Sequence, residues 1–146
     1  MAITTNAIAN SFKKELLEAK HNFTQTSGDQ FKIALYTSSA TLGKSTTSFT
    51  TDAQVSNTGQ YTSGGGKLAK GSQQTSVASS VAIVDFADRS FTGVTLTARG
   101  ALIYNTSNSN TAVAVLDFGG DKTATAGTFT IQFPAFTTSA AILRIT

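Results

Sequence analysis

The sequence predicts a mostly β protein, an antiparallel β-sandwich or closed barrel carrying one N-terminal α-helix. Three observations lead there. Charged residues make up only 13% of the chain, about half the usual share, so the surface must be covered by Ser, Thr, Asn, Gln and Gly. Threonine and the β-branched aliphatics are stiff at χ1 and suit a pleated surface better than a helix. From Val77 onward, short apolar runs recur between turn residues with no second strong helical pattern, as antiparallel architectures require. At 146 residues the chain fits a single domain over its whole length, 1–146.

The one helical pattern covers about residues 5–23. Ile8, Phe12, Leu16, Ala19 and Phe23 recur at spacings of three and four and form one apolar stripe. Thr5 or Asn6 is placed to cap its first turn, and Lys13, Lys14, Glu15, Glu18 and Lys20 occupy the other faces. Two roles fit the stripe, packing on the protein's own sheet and docking on a neighbouring subunit. Ile8, Phe12, Leu16 and Phe23 are therefore candidate interaction residues. His21, the only histidine, is expected as a partly exposed residue of this helix.

After the turn signals Ser27, Gly28 and Asp29, the run from Phe31 to Thr37 alternates as a strand. Residues from about 38 to 74 are rich in Ser, Thr and Gly and read as a long polar excursion, with a short hairpin around Gln54 to Tyr61. A loop of that length is unusual inside a compact domain and is typically functional or ordered by a partner. Tyr61 is its one candidate for an exposed binding aromatic. The later strands are expected at Val77 to Phe86, Phe91 to Asn105, Ala112 to Phe118, Phe129 to Phe136 and Ala140 to Ile145. Their boundaries are expected at Asp88 to Ser90, Thr106 to Asn110, Gly119 to Asp121 and Gly127, with Pro134 near a strand end. Phe129, Ile131 and Phe133 face one way against Thr128, Thr130 and Gln132, and Arg99-Gly100 marks a bulge.

Several chemistries find little material. There is no Cys, which removes disulfides, thiolate metal sites and cysteine nucleophiles. Net charge is +3, but the cations are scattered rather than gathered on one phosphate track, so no nucleic-acid partner is expected. Ser38 to Ser45 ends in Gly-Lys-Ser after a strand, yet it lacks the first P-loop glycine and a following helix. The glycines Gly64 to Gly66 read as a flexible turn. A lone His21 completes no recognisable triad. Asp85 with Asp88, and Asp117 with Asp121, read as solvated turn carboxylates rather than Ca²⁺ ligands. No catalytic, cofactor or metal site is assigned. The sequons at Asn22 and Asn105 are read as accidental, since Met1 to Thr5 begins no secretory signal. No run of about 18 apolar residues offers a membrane span.

Four blocks carry a resemblance: Phe31 to Leu42, Leu96 to Asn105, Ala112 to Lys122, and Gly127 to Pro134 continuing to Ala141–Ile145. Together with the N-terminal helix they span about half of the chain and resemble a family of small structural proteins of tailed-bacteriophage virions. The resemblance implies no enzymatic activity. It implies a capsid cement or decoration protein, made in the host bacterial cytoplasm and sited in the virion. Its partners would be the major capsid protein and itself, as a homo-oligomer, a trimer around local three-fold positions. A tail or head-fibre component is the alternative the resemblance leaves open. A small carbohydrate- or cell-surface-binding module is the second alternative, for which ten Phe and three Tyr without Trp are poor stacking material.

Overall fold

The computed structural model describes residues 3–69 and 74–146. It is mostly β, with two antiparallel sheets and one short helix. The elements run β1 (Ala7–Ile8), α1 (Asn10–Leu17), β2 (Phe31–Tyr36), β3 (Gly66–Lys67), β4 (Gln74–Ala78), β5 (Val81–Asp85), β6 (Arg89–Asn105), β7 (Thr111–Ile131) and β8 (Leu143–Ile145). The larger sheet has the order β1-β7-β6-β2-β3 and the smaller β4-β5-β8. Both sheets are open, so the sandwich describes the fold and the closed barrel does not.

The spine is the β6–β7 hairpin, closed by the expected turn after Asn105, where Ser109 and Asn110 take positive φ. The predicted strand Ala112 to Phe118 lies within β7, but of Phe129 to Phe136 only Phe129 to Ile131 is strand, and of Ala140 to Ile145 only Leu143 to Ile145 is. Gly119 and Gly120 do not end a strand. Ala98 pairs with Lys122 and Gly100 with Asp117, so Phe118 to Asp121 bulge out of β7 opposite Arg99. The irregularity expected at Arg99-Gly100 is there, but the extra residues belong to its partner strand. Val77 to Phe86 is likewise not one strand. It is the β4–β5 hairpin, in which Ala78 pairs with Val81 and the two linking residues, Ser79 and Ser80, have φ of 48° and 68°. Two consecutive positive values give the right-twisting turn that antiparallel ribbons favour.

The N-terminal helix is shorter than its periodicity predicts, with eight residues. Ala7 and Ile8 are drawn into the sheet against Val115 and Ala114, so the helix starts only after Ala9. Asn6, an expected cap, accepts instead from the backbone N–H of Asp117 (2.6 Å). At the other end, Ala19 N–H donates to Leu16 C=O and Lys20 N–H to Glu15 C=O, with Ala19 at φ 57°. This is a Schellman closure with alanine where glycine is usual. His21 and Phe23 lie beyond it.

Alternation on β2 assigns Phe31, Ile33 and Leu35 to one face and Lys32, Ala34 and Tyr36 to the other. The first face meets Phe23 and Phe86, which follow α1 and β5: Phe23 stacks on Phe31 (centroids 4.5 Å apart), and Phe86 touches both Phe31 and Phe133. The second face is covered by the excursion. Tyr36 Oη donates to Thr50 C=O, Phe49 stacks on Tyr104 at 4.7 Å, and Tyr104 Oη donates to Gly64 C=O. Ala40, Leu42, Val55, Tyr61 and Leu68 are buried in the same cluster as β2, β6 and β7. Each such large side chain contributes about 1.5–3 kcal/mol of burial. The excursion is thus a covering layer tied down by backbone contacts. Gly65, at φ 75°, lies where a Cβ would strike the Ile33 carbonyl. A part of the expected excursion, 70–73 with Gly71, lies outside the described residues.

Candidate interaction surface

Of the five candidate interaction residues, the fold brings four together. Ile8 from β1, Phe12 and Leu16 from α1, and Phe23 line one wall of a groove of about 550 Å³. The opposite wall is the small sheet, where Val77, Ala82 and Ile145 stand in one row across β4, β5 and β8. Val84 and Leu143, one pleat away on the same face, pack on the core. The outer row extends past that core, leaving Val77 72% and Ile145 58% exposed. Phe12 and Phe23 are themselves nearly buried, whereas Ile8 and Leu16 are half-buried. The groove is therefore a continuation of the core that none of the described residues fills.

Sequence reading did not single out Val77 and Ile145, which stand at the ends of two expected strands. Three large apolar side chains are exposed among the described residues, Leu17, Val77 and Ile145. Two line this groove, and the third, Leu17 at the end of α1, does not. Clustering of this kind marks interaction surfaces, whereas single exposed apolar residues do not.

The charged side chains among the described residues that line the groove are both basic. Lys13 and Arg144 are its only charged side chains, and neither is in an ion pair among the described residues. Arg144 is held by hydrogen bonds from Nη1 to the carbonyls of Ser139 (2.8 Å) and Thr138. At the C-terminal end of the helix, Lys20 and Lys14 both pair with Glu18 and hold its carboxyl below the ordinary range.

Tyr61 does not belong to this surface and is no exposed aromatic. It is fully buried, edge-on to Phe91, and its Oη accepts from Leu35 N–H (2.8 Å) while Gln54 Nε2 donates to it. The excursion has turned this side chain inward, and its hydroxyl serves as a strand partner for β2. The Gln54 to Tyr61 hairpin reduces to a tight turn, Thr58 and Tyr61 exchanging backbone hydrogen bonds around Gly59.

His21 also departs from expectation, since its side chain is buried outside the helix. Its Nε2 lies 2.6 Å from Glu15 Oε2 and its Nδ1 3.0 Å from Asn105 Nδ2. Asn105, fully buried, also donates to Asp29 Oδ2 (2.7 Å) and accepts from Ser107 N–H (2.9 Å). Every polar atom of the Asn105 side chain is engaged, so this sequon offers no free amide. The cluster ties the segment after α1 to the end of β6.

The remaining motifs have structural roles. Around Gly43-Lys44-Ser45 the chain turns on itself through Thr46 N–H to Gly43 C=O, and Lys44 C=O accepts from Asn10 N–H. Asp117 accepts from Arg99 Nε (3.1 Å) and from Gly119 N–H, bracing the β7 bulge. Asp88 accepts from Phe133 N–H (2.8 Å), and burial pushes the Asp85 carboxyl upward, with Asp88 adding to the shift. Among the described residues no group of three or more His, Asp or Glu is placed to hold a metal ion. No described helix is long and apolar enough to cross a membrane. Comparison of the chain with protein-family models, with curated proteins and with solved structures found no match.

Proposed function

We propose that this chain is a structural protein of tailed-bacteriophage particles, a cement or decoration protein that stabilises the head by protein–protein contacts as a homo-oligomer. The observation that supports the reading is the apolar groove between α1 and the small sheet, with Val77 and Ile145 exposed beside it. A contact that buries such a surface needs no reactive group. It adds to particle stability by mass action, because binding favours the assembled shell over the dispersed one. The sparsely charged, Thr-rich exterior suits close packing between subunits, since few charges must be stripped of water. The sequence blocks described above supply the phage context.

The test compares particles made with and without this chain. Those lacking it are expected to release their DNA at a lower temperature, and adding purified protein back is expected to restore the wild-type value. Particles that neither bind the added protein nor change in heat resistance would remove the cement role.

A further inference from the structure

We propose that the open edge of β7, residues 120–131, pairs antiparallel with the same edge of a second copy, about a two-fold axis beside Ala126 and Gly127. The first part of β7 is covered. Thr47 and Ser48 of the excursion, Ala9, β1 and Asn6 bond in turn along residues 111–117. Beyond Gly119 the strand's only neighbour among the described residues is β6, so alternate residues of 120–131 turn their backbone N–H and C=O groups outward. Such a row of unpaired groups is a template for another strand. The inference goes beyond the shell-binding role above. It gives the homo-oligomer of that reading a contact, a two-fold one rather than the three-fold arrangement that the resemblance implies.

The other sheet edges carry guards against a second strand, being short or bearing a cation: β3 has two residues and Lys67, β8 three and Arg144, and β4 five. From Thr123 to Leu143 there is no charged residue at all. The edge is also complementary to itself. In the register that sets Thr123 opposite Thr130 of the second copy, Thr125 meets Thr128 and small Ala124 meets large Phe129, and each contact occurs twice. The four threonines are exposed, and the bulge at Ala126 (φ 44°) keeps them on one face. There the Thr123 hydroxyl lies 2.9 Å from that of Thr97, and the Thr130 hydroxyl 2.8 Å from that of Ser90. The pairing would join these two hydroxyl pairs into one row across the axis, and Thr–Thr pairs directly opposite each other favour a sheet. Lys122 falls opposite Ile131, so no like charges meet. A foreign strand could use the same backbone groups; the chain's own edge matches the side chains as well.

Analytical ultracentrifugation of the full chain over a concentration series tests the pairing, and a dimer is expected. Thr125→Lys with Thr128→Lys, both at exposed positions, opposes lysine to lysine twice and is expected to weaken the dimer about tenfold or more, since each like-charged pair costs up to about fivefold. Thr125→Lys with Thr128→Glu opposes unlike charges and is expected to restore it. The chain has no Cys, so Thr123→Cys with Thr130→Cys is expected to oxidise into a covalent dimer that neither single variant forms. A chain monomeric at every concentration would overturn the inference and leave the Ala126 bulge as the guard of this edge. An oligomer indifferent to both charge changes, or one that the two cysteines do not join, would also overturn it and put the contact elsewhere. A matched dimer from a chain absent from virions would sink the shell-binding role alone; a monomeric chain that raises the heat resistance of particles would sink the inference alone.

Discussion

Replacing Asn105 by alanine removes the centre of the buried polar cluster, and its cost can be worked from the contacts. The amide nitrogen donates to His21 Nδ1 at 3.0 Å and to Asp29 Oδ2 at 2.7 Å, and the carbonyl oxygen accepts from Ser107 N–H at 2.9 Å. Because both amide hydrogens are used this way, His21 Nδ1 is the acceptor and Nε2 carries the hydrogen that goes to Glu15. Alanine deletes all three bonds. Two neutral bonds contribute about 1 kcal/mol each and the bond to the carboxylate about 2 kcal/mol, and the loss grows because Nδ1 stays buried without a partner. The expected destabilisation is about 4 kcal/mol, a large part of the roughly 5–15 kcal/mol that holds a domain together. In a chain of this length that lowers the melting temperature by roughly 10 °C. Urea unfolding of Asn105→Ala beside Asn22→Ala is the assay, because Asn22 is exposed and its side chain bonds only locally, to Thr24 N–H. The double variant with His21→Ala should cost less than the sum of the single changes. A loss below about 1 kcal/mol, or one no greater than that of Asn22→Ala, would refute the cluster as a structural clasp.

Tyr61→Phe keeps the ring against Phe91 but strips the hydroxyl from Leu35 N–H, so a loss of about 1–3 kcal/mol is expected in the same unfolding assay. Alkaline pH should also destabilise the fold. Burial raises the phenols of Tyr36, Tyr61 and Tyr104, the last to about 12, so above about pH 10 the unfolded chain sheds protons that the folded chain retains. Stability is therefore full below that pH and falls as pH rises towards the folded values, which urea midpoints measured with tyrosinate absorbance will follow. Ser79→Asn with Ser80→Gly puts residues suited to positive φ at the β4–β5 turn and should stabilise the hairpin by roughly 1 kcal/mol, read as a higher unfolding midpoint without loss of secondary structure by circular dichroism.

Where sequence and fold agree, the signal was local and repeated. Phe31 to Tyr36 is a strand, though covered on both faces, and the alternating Phe129, Ile131 and Phe133 are buried as expected. Where they part, a long-range contact overrode the local pattern. Ile8 fits the helical stripe, but pairing with Ala114 takes it into the sheet. Ala19 ends the helix in a conformation glycine would have announced, and Ser79-Ser80 makes a turn that Asn-Gly would have announced. Gly119 and Gly120 carry a turn signature yet form a bulge, because β6 runs on past them. The site was half legible for the same reason. The stripe of Ile8, Phe12, Leu16 and Phe23 pointed to an interacting face, but that Val77 and Ile145 lie opposite it depends on the small sheet's register, which no local pattern encodes. Tyr61 was misread because its partner, Leu35 N–H, lies 26 residues away.

The most direct test of the proposed virion role is the copy number of this chain in purified phage particles from its source, by quantitative mass spectrometry against the major capsid protein. A ratio near that of the capsid protein is the predicted result. A few copies per particle would move the chain to the tail, and its absence from virions would contradict the structural role altogether.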